Sequence, residues 1–218
     1  MSRYKIIATG SKGNAVLYND NVLVDCGVPY KTLEPYVKDL KLVLLTHKHS
    51  DHINKTTVRK LVYERPTLRF ACGEWMADIL VECGVKNIDI LELNTAYDYG
   101  ICTVASIELF HDVPNCAWRI YLNDGYKIIH MTDTYTAEGI HAIGYDLYAI
   151  ERNYDSETIQ DIIAEKKILG KFAYEEGAIN SHLSFQQAQA FFDENKKEDS
   201  ELIRLHESSR YKQNGGTK

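Results

Sequence analysis

"THKHSDH", residues 46–52, places three histidines and one aspartate within seven positions, directly after the apolar run "KLVLL" at residues 41–45. The run reads as a buried strand, so the cluster falls where a strand ends and the chain turns. Crowding unpaired imidazoles in a fold is costly, whereas a bound cation uses them. His47 and His49, two apart on extended chain, point the same way and can grip one ion. Asp51 and His52 follow the turn and can face a second ion. Imidazole with carboxylate suits Zn2+; more carboxylate or water suits Mn2+.

Each ion then needs further ligands, and later strand ends offer them. "IELFHDV" (107–113) puts His111 after an apolar strand, where a third ligand for the first ion belongs. "KIIHMTDT" (127–134) puts Asp133 just past another strand, and a carboxylate can bridge two cations. "LIRLHESSRY" (202–211) puts His206 in the same relation to a last strand. His130 lies within a strand and reads as a core or flanking residue; His141, in "EGIHAIG" (138–144), reads as a helix-surface residue. His182, in "NSHLSFQQ" (180–187), directly precedes a helix whose Ser184 and Gln187 have capping-box spacing. Helix starts favour anions, so His182 could meet a substrate phosphate or protonate a leaving oxygen, or be an ordinary loop histidine. Glu151, closing the strand "DLYAIE" (146–151), could orient it.

The 218 residues carry a net charge of −6, which argues against a large non-specific nucleic-acid binder. Residues 48–69 are nevertheless basic, with Lys48, Lys55, Arg59, Lys60, Arg65 and Arg69 against Asp51 and Glu64. That stretch is either a solvated helix face or a phosphate-tracking patch. No apolar run is long enough for a membrane span. The N-terminus lacks a signal-peptide layout, and the five cysteines are scattered without a C-x-x-C pair. A cytoplasmic protein with reduced thiols is expected.

Short strands are predicted at 4–9, 15–18, 21–25, 42–46, 67–72, 102–109, 117–122, 126–131, 146–151 and 201–205. Helices are predicted at 54–64, 74–83, 157–167 and from Ser184 onward. Strands grouped in two halves, each with helices, suggest two facing sheets with helices outside. A tail at 211–218 is expected to be disordered.

The order H-x-H-x-D-H, then a histidine after a strand, then "TDT", then "LHESSRY" resembles the metallo-β-lactamase fold superfamily. "GSKGNAVLY", "VLVDCG", "IERNYD" and "SHLSFQQA" resemble its small exonuclease-like phosphodiesterases, and the C-terminal part is also similar to ribonuclease Z. The resemblance implies an α/β, four-layer αββα sandwich over residues 1–210. It implies His47, His49 and His111 on the first metal, Asp51, His52 and His206 on the second, and Asp133 bridging both. His182 would be the substrate-contacting histidine with Glu151 as its acidic partner, and Asp51 would belong to the catalytic groups as well as to the metal set. His182 competes with His206 for the last ligand position; His206 is preferred because it follows the last strand. Asp25 would be a buried acid hydrogen-bonding a ligand histidine. Tyr154 stands where such relatives more often have histidine.

Two Zn2+ or Mn2+ ions sharing a bridging hydroxide would hydrolyse a phosphodiester. The expected substrate is DNA or RNA. Alternatives are a cyclic nucleotide, a thioester of the glyoxalase II kind, or a non-catalytic metal-binding module. Oligomeric state is open, with a homodimer possible on the same reading.

Overall fold

The computed structural model describes residues 3–207. The expected tail and the motif residues Ser208–Tyr211 lie outside the described residues. In chain order the elements are β1 (Tyr4–Ala8), β2 (Ala15–Tyr18), β3 (Val22–Val24), α1 (Tyr30–Leu33), β4 (Leu42–Leu44) and α2 (Lys55–Glu64). β5 (Arg69–Cys72), α3 (Ala77–Glu82), β6 (Ile88–Ile90), β7 (Ala96–Asp98), β8 (Cys102–Leu109) and β9 (Asn115–Leu122) follow. The chain closes with β10 (Lys127–Met131), β11 (Leu147–Glu151), α4 (Ile159–Ile168), α5 (Glu175–Ile179), α6 (Phe185–Asn195) and β12 (Glu201–Leu205).

Two six-stranded sheets result, in the orders β1-β2-β3-β4-β5-β6 and β12-β11-β10-β9-β8-β7. Period-two alternation decides which side chains lie between them. Val22, Val24, Leu42 and Leu44 point into the inter-sheet core, where they meet Trp118, Ile120, Ile128 and Leu147 of the other sheet. Leu23 and Val43 point outward against Leu33 of α1, Val58 and Leu61 of α2, and Leu80 of α3. On the far side, Ile129, Met131, Tyr148 and Ile150 pack on Ala188, Phe191 and Phe192 of α6. The predicted four layers are therefore present: helices, sheet, sheet, helix.

α2 starts at Asn54, whose side chain accepts from Thr57 N, and α6 starts at a complete Ser184–Gln187 capping box. Both starts agree with the sequence reading. The sequence reading did not anticipate α1, β6, β7 or α5, which have between three and five residues each and too little length to show a period. His141 is exposed as expected but lies in a loop, not on a helix. His130 is buried with Nδ1 2.8 Å from the Tyr18 hydroxyl, a core histidine. α4 and α5 share a small separate core of Tyr154, Ile159, Ile163 and Ala173, so Tyr154 has a packing role.

Candidate metal centre

Every sequence-predicted site residue stands at or just past the C-terminal end of a strand or in the loop entering α6, along one rim of the sandwich. Three residues of this rim adopt left-handed backbone: Asp25 (φ 59°), Asp133 (φ 60°) and His206 (φ 50°). They follow β3, β10 and β12. A non-glycine residue in this region is uncommon, and several at one locus mark a functional site. Here the turn stops the strand and aims the side chain over the rim.

Four overlapping ligand groups form there: His47, His49 and His111; His47, His52 and Asp133; Asp51, His52 and His206; and Asp133, Glu151, His182 and His206. Within each, the ligand atoms lie within 4.8 Å of one another. His111 Nε2 is 3.3 Å from His49 Nδ1. Asp133 reaches His52 Nε2 at 2.9 Å through Oδ2 and His206 Nε2 at 3.5 Å through Oδ1. Asp51 Oδ2 is 3.3 Å from His206 Nε2. Asp133 thus lies among both halves of the cluster.

Neighbours fix which ring nitrogen faces the cluster. Asp25 Oδ2 takes the His52 Nδ1 proton at 2.6 Å, and the Ser181 carbonyl takes that of His111 Nδ1 at 3.1 Å. Thr46 Oγ1, bonded to Asp25, lies 3.0 Å from His47 Nδ1. In the neutral form of all three rings the Nε2 lone pair would face the cluster, which is how a partner behind a ligand sets its tautomer; at His52 a cation would displace the Nε2 proton that Asp133 favours. His47 Nε2 is buried without any hydrogen-bond partner, a vacancy that a cation would satisfy. The donor set of imidazoles and carboxylates fits a divalent ion.

The electrostatics agree. Burial, with the neighbouring imidazoles His52, His111 and His49, drives the His47 pKa down to about 2, keeping it a neutral donor. Burial opposes the charge on Asp133, but His206 and His52 outweigh it and hold its pKa well below the usual range. Burial likewise opposes a charged His52, yet Asp133 and Asp25 raise its pKa well above the ordinary value. Asp25 itself is pushed up by burial, as expected for a carboxylate holding a proton between itself and His52.

His182 Nδ1 and His206 Nε2 both approach Asp133 Oδ1, at 3.4 Å and 3.5 Å, and they differ in their other partners. His206 Nε2 faces Asp51 and Asp133, whereas His182 Nδ1 is bonded to Glu151 Oε2 at 2.8 Å. The two rings stack, with centroids 5.0 Å apart. His206 belongs to a ligand group with Asp51 and His52 as well as to the one with Asp133, Glu151 and His182, whereas His182 belongs to the latter alone. Glu151 is fully buried; its Oε1 accepts from Thr134 N at 2.7 Å and Leu183 N at 3.2 Å.

Three contributors went unrecognised in the sequence. Asn14, in "GSKGN", is buried, with Nδ2 2.9 Å from His52 Nε2 and 3.3 Å from Asp51 Oδ2. Asn153 Nδ2 lies 3.2 Å from His206 Nδ1. Asp112 Oδ1 lies 3.0 Å from His111 Nε2 and 3.5 Å from His49 Nε2. The quoted motifs "GSKGNAVLY" and "IERNYD", which contain Asn14 and Asn153, offered a signal. Half of the basic stretch, in turn, is paired with acids. Lys55 pairs with Glu82, Lys60 with Glu64 and Arg69 with Asp89, while Arg65 donates to the Leu40 carbonyl. Lys48 and Arg59 make no ion pair among the described residues, so a solvated face is the better description.

Residues 20–199 match the family model described as the beta-lactamase superfamily domain, and the chain belongs to that family. Its fold implies divalent metal ions, for which this cluster is the candidate site. Among curated proteins it is similar to exodeoxyribonuclease WalJ of Streptococcus pneumoniae, at 27% identity over 175 residues, and to exodeoxyribonuclease YycJ of Bacillus anthracis, at 26%. Each alignment covers 72% of this chain and 65% of the relative, so the chain matches less than two thirds of their length. Among solved structures, human tRNase Z, short form, superposes with a TM-score of 0.71 at 16% identity, covering 96% of this chain and 93% of that one. The metallo-beta-lactamase fold protein YhfI from Bacillus subtilis gives 0.69 at 18%, covering 94% and 85%. These likenesses establish the fold. No described helix is long and apolar enough to cross a membrane.

Proposed function

We propose that this chain is a dinuclear metal-dependent phosphodiesterase, a nuclease acting on DNA or RNA. The observation that carries the reading is His182, bonded to the buried Glu151 and stacked on His206 within the ligand cluster. His47, His49 and His111 would hold one ion, Asp51, His52 and His206 the other, with Asp133 between them. Zn2+ and Mn2+ both suit this mixture of imidazole and carboxylate. Bound, such ions supply Lewis acidity that neutralises phosphate charge and makes a nucleophile available at neutral pH.

The remaining work falls to the chain. Glu151 fixes His182 through Nδ1, so the Nε2 proton is the one offered to the leaving oxygen. Burial works against a charged His182, but Glu151, Asp133 and Asp51 raise its pKa, favouring the protonated acid near neutrality. The names of the WalJ and YycJ relatives support DNA as substrate, and that of tRNase Z supports RNA. A single metallohydrolase domain through residue 210 and a reducing, cytoplasmic setting belong to the same proposal. All five cysteines are free and buried, which supports the latter.

One observation favours a second reading, cleavage of cyclic nucleotides: the net charge of −6 together with the half-paired basic stretch offers little grip on a long polyanion. A panel of single- and double-stranded DNA, RNA, cyclic nucleotides and a thioester, each with Zn2+ or Mn2+, decides among them. Nuclease activity should fall steeply with ionic strength, whereas cyclic mononucleotide cleavage should not. Absence of phosphodiester cleavage with either metal sinks the reading. His182→Ala should keep both ions and lose at least about 100-fold in kcat; loss of an ion instead would exchange the roles of His182 and His206.

A further inference from the structure

Two aromatic rings sit on the rim of the ligand cluster without a packing reason. Phe110 is 42% exposed and Tyr135 46% exposed, and their ring centroids are 5.9 Å apart. Of the exposed phenylalanines and tyrosines among the described residues, these alone lie within two residues of a proposed metal ligand, namely His111 and Asp133. Consecutive Cα atoms are 3.8 Å apart, so both rings are anchored within two residue lengths of the chemistry. Leu109, one residue earlier, is buried against α6, so the strand had a core position available and Phe110 faces away from it.

The pair is held rigidly, and by the same group that holds His182. Tyr135 N donates to Phe110 O at 3.1 Å, Phe110 N donates to Thr134 Oγ1 at 3.2 Å, and Thr134 N donates to Glu151 Oε1. The other oxygen of Glu151 takes His182 Nδ1. One buried carboxylate therefore anchors the proposed acid and, through these hydrogen bonds, the backbone that carries both aromatic rings. The rings are tilted by 45° to each other, so a flat ligand stacked on one would meet the other at an angle, close to the leaving oxygen.

We propose that Phe110 and Tyr135 form a stacking platform for the nucleobase flanking the scissile phosphate. The proposal rests on the phosphodiesterase reading and names what that site recognises beside the phosphate. Aromatic faces accept any base, so the platform confers affinity for nucleotides with little sequence preference. It also compensates for the scarcity of free cations, because stacking supplies grip that phosphate contacts here do not.

The test uses the full chain and short single strands carrying 2-aminopurine, a base whose fluorescence is quenched by stacking, at either the 5′ or the 3′ terminal nucleotide. Binding is read in the metal-loaded His182→Ala background, where the strand persists. Emission should fall on binding for one of the two strands and recover with Phe110→Leu and Tyr135→Leu, which keep apolar bulk but remove the π-faces. With His182 intact, the same pair of substitutions should raise KM about tenfold for a base-bearing end while kcat changes less than about threefold. It should leave KM unchanged for a strand whose terminal nucleotide is abasic. Quenching at neither end, or quenching that survives both substitutions at unchanged metal content, overturns the platform while cleavage by the wild type upholds the phosphodiesterase reading. If the wild type cleaves no phosphodiester, that reading falls and takes the platform with it.

Discussion

Asp25→Asn is the sharpest probe of how the cluster is held. Asp25 is fully buried, and each of its oxygens is used: Oδ1 accepts from Thr46 N at 3.0 Å, and Oδ2 from His52 Nδ1 at 2.6 Å. Asparagine has the same shape and tolerates the left-handed backbone at this position, so the substitution removes an acceptor and little else. The amide must turn its NH2 toward one of two donors. Turned to His52, it forces the proton onto Nε2 and cancels the lone pair meant for the ion; losing such a partner lowers metal affinity about 10- to 100-fold. Turned to Thr46, it sets two donors face to face in a dry site, at about 1–3 kcal/mol. For a chain of this size that is a fall of roughly 3–10 °C in the melting temperature of the metal-free protein. Titrating chelator-stripped protein with Zn2+ against a chromophoric competitor should show the His52 site weakened most and the His47–His49–His111 site less, since Asp25 reaches His47 only through Thr46. Two sites of wild-type affinity, or loss confined to the His49–His111 side, would refute the reasoning.

Gly27→Ala should be severe, because a Cβ there would lie 1.7 Å from Asp51 O and 2.1 Å from Asp51 C, backbone atoms that move only with the Asp51–His52 turn. A loss of about 1–3 kcal/mol or more is expected, together with the second ion, read by calorimetry and metal analysis on one sample. Chelation should lower the melting temperature of the wild type. At free metal 100 times Kd the bound state gains about 2.7 kcal/mol, or roughly 5–10 °C, and an unchanged midpoint would speak against ions at this site. Asp146 offers a pH test far from the metals. Burial raises its pKa, but the Lys197 ammonium and the Lys127 amide, 2.7 Å away, outweigh burial and depress it. A depressed folded pKa stabilises above the unfolded carboxylate range and loses that effect as pH falls through the folded value. Asp146→Asn should therefore be less stable than wild type near pH 7 and converge with it below about pH 4 in denaturant titrations.

Much of this protein is written in short covalent spacings. Alternation at Val22–Val24 and Leu42–Leu44 defines two faces of a strand, and the Ser184–Gln187 spacing defines a helix start, because backbone geometry alone relates such neighbours. The H-x-H-x-D-H cluster announces metal for the same reason: its donors converge within one turn of chain. The short elements α1, β6, β7 and α5 were illegible, since their formation depends on packing against longer neighbours and not on any period of their own. Tertiary structure alone decided the pairings across distance. Asp51 meets His206 from 155 positions away, and His182 turns to Glu151 instead. It also brought Asn14 under His52 and joined Phe110 to Tyr135, while pairing three of the six cations of a basic stretch that could have faced phosphate. Sequence carries the donor chemistry, because that belongs to residue types. Which donors share an ion, and which is left to act on substrate, follows from how the two sheets align their strand ends along a common rim.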